Sequence, residues 1–135
     1  DIVKISDEEV ELITGESSFE AAAGSLFQKG ISCAVVTLGS NGAYTASKDA
    51  SVLVPILDPY VPVVDTTGAG DAFWGGFLYK LIVSGLRPNE LGKAQLRDFT
   101  EFANAVASLC IQKRGGIPSM PTISMVKDFL GRKGV

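Results

Sequence analysis

The sequence predicts an α/β domain with helices on both faces of a largely parallel sheet, and three observations predict it. The run Cys-Ala-Val-Val-Thr-Leu from Cys33 to Leu38 is apolar without alternation, as a strand covered on both sides must be. Helical periodicity stands on either side of that run, from Ser18 to Lys29 and from Pro88 or Asn89 to about Lys113. The chain of 135 residues is 46% hydrophobic and 20% charged, which is enough apolar material for one substantial core.

Each element has a local reason. Asp1 to Ser6 reads as the end of a loop and a short strand. Ser6, followed by Asp7, Glu8 and Glu9, caps a short helix that stops at Gly15, with Glu9 at the capping-box position. The helix from Ser18 to Lys29 carries Phe19, Ala22, Ala23, Leu26 and Phe27 on one face, and Gly30 stands just past its end. After the strand from Cys33 to Leu38, Gly39-Ser40-Asn41-Gly42 breaks the chain, and Ala43 to Ser47 with Ser51 to Pro55 read as two short antiparallel strands. A loop with Pro59 and Pro62 leads to a helix from Asp71 to Ser84, ended by Gly85. The long helix to about Lys113 rests on the spacing of Leu91, Ala94, Leu96, Phe99, Phe102, Ala103, Val106 and Leu109. Gly115, Gly116, Pro118 and Pro121 then force a loop before a last helix from about Thr122 to Leu130.

Composition removes several kinds of function. A net charge of -3 offers no basic field for nucleic acid or an anionic membrane, and no apolar run is long enough to span a bilayer. With no histidine and two separated cysteines, a zinc site or a histidine-based triad has no ligands to draw on. Cys33 and Cys110 sit in apolar runs and read as buried free thiols. These features, with no secretory leader in view, point to the cytosol as the compartment.

The chemistry gathers in Val-Val-Asp-Thr-Thr-Gly-Ala-Gly-Asp-Ala-Phe-Trp-Gly-Gly-Phe, from Val63 to Phe77. Gly68, Ala69 and Gly70 leave the backbone open at what reads as a helix N-terminus, where unsatisfied N–H groups and the helix dipole favour an anion. A Walker-type loop would continue with lysine and a hydroxyl residue, whereas an acid, Asp71, stands here. Three readings fit these residues: a plain helix cap, a phosphate cradle, or a cradle with its own base. In the third, amides stabilise a moving phosphoryl group while the Asp71 carboxylate orients a hydroxyl and takes its proton as it becomes acidic.

The same stretch closely resembles the C-terminal signature of the ribokinase-like, or PfkB, carbohydrate kinases, and three more stretches match in order. The resemblance implies a three-layer ribokinase-like fold and an ATP-dependent kinase acting on a sugar's primary hydroxyl. It gives Asp71 the role of base and Gly68, Ala69, Gly70 and Asp71 that of an anion hole. Val36 to Tyr44 is similar to the family's nucleotide segment, so that Thr37, Leu38, Gly39, Ser40, Asn41 and Gly42 meet ATP. Phe102 to Ile111 resembles the helix on the adenine side, with Asn104 at the contacting position. Ser6 to Glu9 occupies the place of an Asn-x-x-Glu motif whose glutamate helps hold water, magnesium and phosphate; Glu9 fits, while Ser6 departs from asparagine. The opening Asp-Ile-Val-Lys-Ile-Ser-Asp-Glu-Glu looks most like the fructokinases of the family. Ribose, 2-keto-3-deoxygluconate and nucleoside kinases share the core, and a silent regulatory relative is the alternative of another class.

Two further expectations follow from the resemblance. The positions of its potassium site fall on Asp65, Thr67, Cys110, Lys113, Gly115 and Ser119, through backbone oxygens where the side chain is cysteine or lysine. The chain opens without methionine and lacks the family's lid and Gly-Gly signature, so residues 1–135 are expected to be the C-terminal, nucleotide-binding portion of a longer kinase, the complete enzyme being a homodimer.

Overall fold

The unalternating run becomes the strand β2 (Cys33–Thr37) in the computed structural model, which describes residues 1–134, and four of its five side chains are buried. It pairs in parallel with β1 (Ile2–Ser6) and antiparallel with β3 (Ala43–Ser47), which pairs antiparallel with β4 (Ser51–Val54). The strand order is β1-β2-β3-β4. The sheet of the described residues is therefore mixed. Residues 38–42 and 48–50 are links too short for a crossover, so they return the chain as hairpins, whereas β1 reaches β2 through two helices.

Those helices, α1 (Val10–Thr14) and α2 (Phe19–Gln28), cover one face, with Ala22, Ala23 and Leu26 against Ala34, Val36 and Ala46. Local signals set their ends: Gly15 adopts the left-handed conformation at φ 73°, and the Ser18 hydroxyl accepts the Ala21 N–H at 3.1 Å. The other face carries α3 (Ala69–Ser84) and α4 (Lys93–Cys110), which pack Phe73, Phe77, Leu96 and Phe99 on Cys33, Val35, Val52 and Val54. Phe77 is fully buried and meets Phe99 edge-on at 5.7 Å. Truncating such a ring costs about 3–5 kcal/mol. A final helix, α5 (Ile123–Arg132), lays Val126 and Phe129 beside Phe102 and Val106, outside the α3–α4 pair. The arrangement of helices on both faces of a sheet is as expected. No helix among the described residues is long and apolar enough to cross a membrane.

One expected helix is broken. The segment read as continuous from Pro88 or Asn89 to Lys113 has a 3-10 turn at Pro88–Glu90, an extended step through Leu91 and Gly92, and only then α4. The Ser47 hydroxyl donates to Leu91 O at 3.0 Å and Leu91 is 3% exposed, so the core draws this residue off the helical path. Gly92 then restarts the helix from extended backbone, its N–H donating to Gln95 Oε1 at 3.1 Å. The helix ends at Cys110, short of Lys113.

Candidate active site

Register places Ser6, Thr37, Ala43 and Val54 side by side along one rim of the sheet. This rim is the C-terminal end of the parallel pair β1–β2, the place where open α/β sheets receive ligands. The Ser6 N–H donates to Glu9 Oε2 at 2.7 Å. That bond, the Ser6 side chain and the charge of Lys4 hold the Glu9 carboxyl below its ordinary range. Glu9 is thus an ionised, fixed acid at the rim. The Thr37 hydroxyl lies 3.5 Å from Ile5 O, which stitches the two strand ends together.

Past Thr37, the Leu38 N–H donates to Gly42 O at 2.9 Å around a 3-10 turn at Gly39–Asn41, leaving Gly39, Ser40 and Asn41 exposed. Gly42 is spent on the fold. Its φ is 92°, and a β-carbon there would lie 2.0 Å from Val54 O. Asn104, 3% exposed, donates its side-chain amide to Val54 O and Pro55 O, both at 3.2 Å. Gly42 and Asn104 thereby pin the exit of β4 from two sides. The nucleotide candidates of the two segments are brought together through this strand end.

At the start of α3, Gly68 takes the left-handed conformation at φ 80° as the capping residue. The Ala69 N–H turns back to Thr66 O at 3.2 Å and the Ala72 N–H to Gly68 O at 2.8 Å. Gly70 and Asp71 have no backbone acceptor for their N–H groups among the described residues, and both are exposed. Two free amides at the positive end of a sixteen-residue helix form a seat for an anion, with the Asp71 side chain on the same turn. Lys4, which the sequence reading passed over, reaches this turn from β1: its Nζ donates to Gly70 O at 3.3 Å. A lysine in an apolar strand two residues before Ser6, and so on the same strand face, was the signal available.

The expected cation residues also converge, Lys113 least directly. Asp65 accepts the Thr67 N–H at 2.9 Å on one oxygen and the Gly115 N–H at 3.0 Å on the other. The Thr67 side chain, the Gly115 N–H and the Thr67 N–H hold the Asp65 carboxyl at about 2. The Ser119 hydroxyl donates to Gly115 O and to Gly116 O, and Cys110 Sγ lies 3.3 Å from that hydroxyl and 3.9 Å from Thr67 O. Cys110 O meets the Lys113 N–H at 3.4 Å. A β-carbon on Gly68 would come within 3.0 Å of Gly116 Cα, so the anion seat rests directly on this loop. The oxygens present are the hard donors an alkali cation prefers. Among the described residues no three His, Cys, Asp or Glu side chains converge as a metal cluster.

A family model described as pfkB family carbohydrate kinase matches residues 1–123. Fructokinase-2 of Zea mays is 36% identical over 135 residues, covering 98% of this chain and 38% of its own length. The crystal structure of a Vibrio cholerae O395 fructokinase with fructose, ADP and calcium ion superposes with a TM-score of 0.82 at 35% identity, over 96% of this chain and 41% of that one. A double mutant of that enzyme with fructose, ADP and potassium ion gives 0.82 at 33% identity, over 96% and 40%. The chain spans less than half the length of the relatives it matches.

Proposed function

Because the chain belongs to the pfkB family of carbohydrate kinases, we propose that its protein transfers the γ-phosphoryl group of ATP to a primary hydroxyl of fructose. The observation that carries this reading is the pair of free N–H groups at Gly70 and Asp71 with a carboxylate on the same helical turn. These amides bind charge that develops on the phosphoryl oxygens in the transition state. The Asp71 carboxylate orients the attacking hydroxyl and accepts its proton as the new O–P bond forms. Magnesium on the nucleotide phosphates supplies charge neutralisation, and Glu9, ionised and fixed by Ser6, is the residue that would hold its hydration shell.

The exposed turn at Gly39–Asn41, with Thr37 and Leu38, is assigned to the nucleotide, and Asn104 acts there by shaping the β4 exit. The loop of Asp65, Thr67, Cys110, Lys113, Gly115 and Ser119 is assigned a potassium ion that braces the anion seat. Support comes from a fructokinase at 33% identity that binds potassium. Residues 1–135 are read as the nucleotide-binding portion of the C-terminal half, with most of the acceptor site contributed elsewhere. Fructose is favoured over ribose, 2-keto-3-deoxygluconate or a nucleoside because the relatives compared above are fructokinases. The test is ATP consumption by the complete protein with fructose, ribose, 2-keto-3-deoxygluconate and adenosine. Consumption with fructose supports the reading, consumption with another acceptor reassigns the substrate, and none with any acceptor leaves a silent relative.

A further inference from the structure

Beyond the pull of its charge on Glu9, Lys4 has no part in the mechanism above, and its position asks for one. It stands between Val3 and Ile5, which both pack into the α1–α2 core, so strand alternation turns Lys4 toward α3. Its ammonium donates to Gly70 O at 3.3 Å, and a β-carbon at Gly70 would press on that ammonium at 3.2 Å. Lys4 joins none of the ion pairs among the described residues. A single carbonyl at this distance is a weak partner for a full charge.

The placement runs against the helix dipole. The first turn of α3 carries partial positive charge on the N–H groups of Gly70 and Asp71, and Lys4 adds a full one; the Glu9 and Asp71 carboxylates offset part of it, and an anion seated between the ammonium and the amides would offset the rest. Lysine is also a point charge suited to phosphate oxygens, on a stem long enough to shift by an ångström or so. We propose that Lys4 contacts the transferring phosphoryl group: its ammonium swings away from Gly70 O and donates to a phosphoryl oxygen seated on the Gly70 and Asp71 amides. Gly70 then serves twice, giving an unhindered N–H to the anion and clear space for the ammonium. This inference rests on the nucleotide reading of the site, and it separates the base, Asp71, from the residue that receives the moving charge, Lys4.

Calorimetric titration of the complete protein with ATP and with AMP, magnesium present, tests it in the unmodified protein, Lys4→Met and Lys4→Arg. Lys4→Met is expected to weaken ATP binding by about tenfold or more, the loss of one charge-assisted contact, and to leave AMP within about twofold. Lys4→Arg is expected to keep most of the ATP affinity. Equal weakening of both nucleotides, unchanged ATP binding, or an unmodified protein that does not prefer ATP to AMP would each overturn the proposal. No acceptor is needed, so the two readings fail separately. A Lys4-dependent preference for ATP without phosphorylation of any sugar upholds Lys4 and removes the kinase. Fructose turnover with unchanged kcat/KM in Lys4→Met does the opposite.

Discussion

Asp65 Oδ2 accepts the Gly115 N–H at 3.0 Å across fifty residues of chain, and this bond ties the loop before α3 to the loop after α4. Its strength depends on pH. The Asp65 carboxyl, ordinarily near 3.8, is held at about 2, so its stabilisation is complete above the ordinary value and is lost as pH falls from there through about 2. Melting curves of the complete protein should therefore fall more steeply over that acid window than those of Asp65→Asn, which should start lower at neutral pH. Parallel curves would show that the carboxylate contributes nothing to the tie.

Asp71 is exposed on the first turn of α3, where replacing it disturbs no core contact. In the complete enzyme, Asp71→Asn should lower kcat by about 100-fold or more, as the loss of a general base does, with ATP affinity changed only a few-fold. Steady-state kinetics and nucleotide titration decide it, and near-normal turnover would take the base role away from Asp71.

Gly75 and Gly76 are neighbours in α3 with opposite surroundings. A β-carbon on Gly76 would meet Val106 Cγ2 at 2.9 Å and Ala103 Cα at 3.1 Å, whereas one on Gly75 would meet nothing within 4 Å. Gly76→Ala should accordingly destabilise by about 1–3 kcal/mol through overpacking against α4. Gly75→Ala should stabilise by about 0.5–1 kcal/mol, since alanine suits a helix interior better. Denaturant unfolding of the two variants should separate them in sign; equal effects would mean that α3 and α4 are not in this close contact.

If potassium occupies the Asp65–Ser119 loop, exchanging sodium for potassium should raise kcat more than it changes ATP affinity, because the ion orders amides that act on the transition state. Ser119→Ala, which removes the hydroxyl that donates to Gly115 O and Gly116 O, should reduce that salt response. Identical kinetics in both salts at matched ionic strength and saturating magnesium would leave the loop a purely structural brace.

What could be seen from the sequence is what is local in it. The helix from Ser18 has its cap, its apolar face and its terminating glycine within one short stretch, and the structure keeps all three. The Gly68 to Asp71 turn is equally self-contained. Leu91 shows the limit: its spacing suits a helix, yet a bond from Ser47, forty-four residues away, pulls it into extended backbone. Gly42 shows it too: the need for glycine there comes from Val54 O, a neighbour across the sheet that the local sequence does not reveal. Lys4 escaped for the same reason, because its meaning lies in a helix sixty-six residues on.

The strand order β1-β2-β3-β4 repeats the order of the chain, so every strand pairs with its own successor. Closing such short intervals costs little entropy, and topologies made of them assemble quickly. The Asp65–Gly115 tie has to wait until α3 and α4 have docked, because only they bring its two loops together. The geometry of the candidate site is therefore expected to form last on folding and to be lost first. Gentle heating or dilute denaturant should silence the site while the sheet still stands, and cooling should restore it without a new search for strand partners.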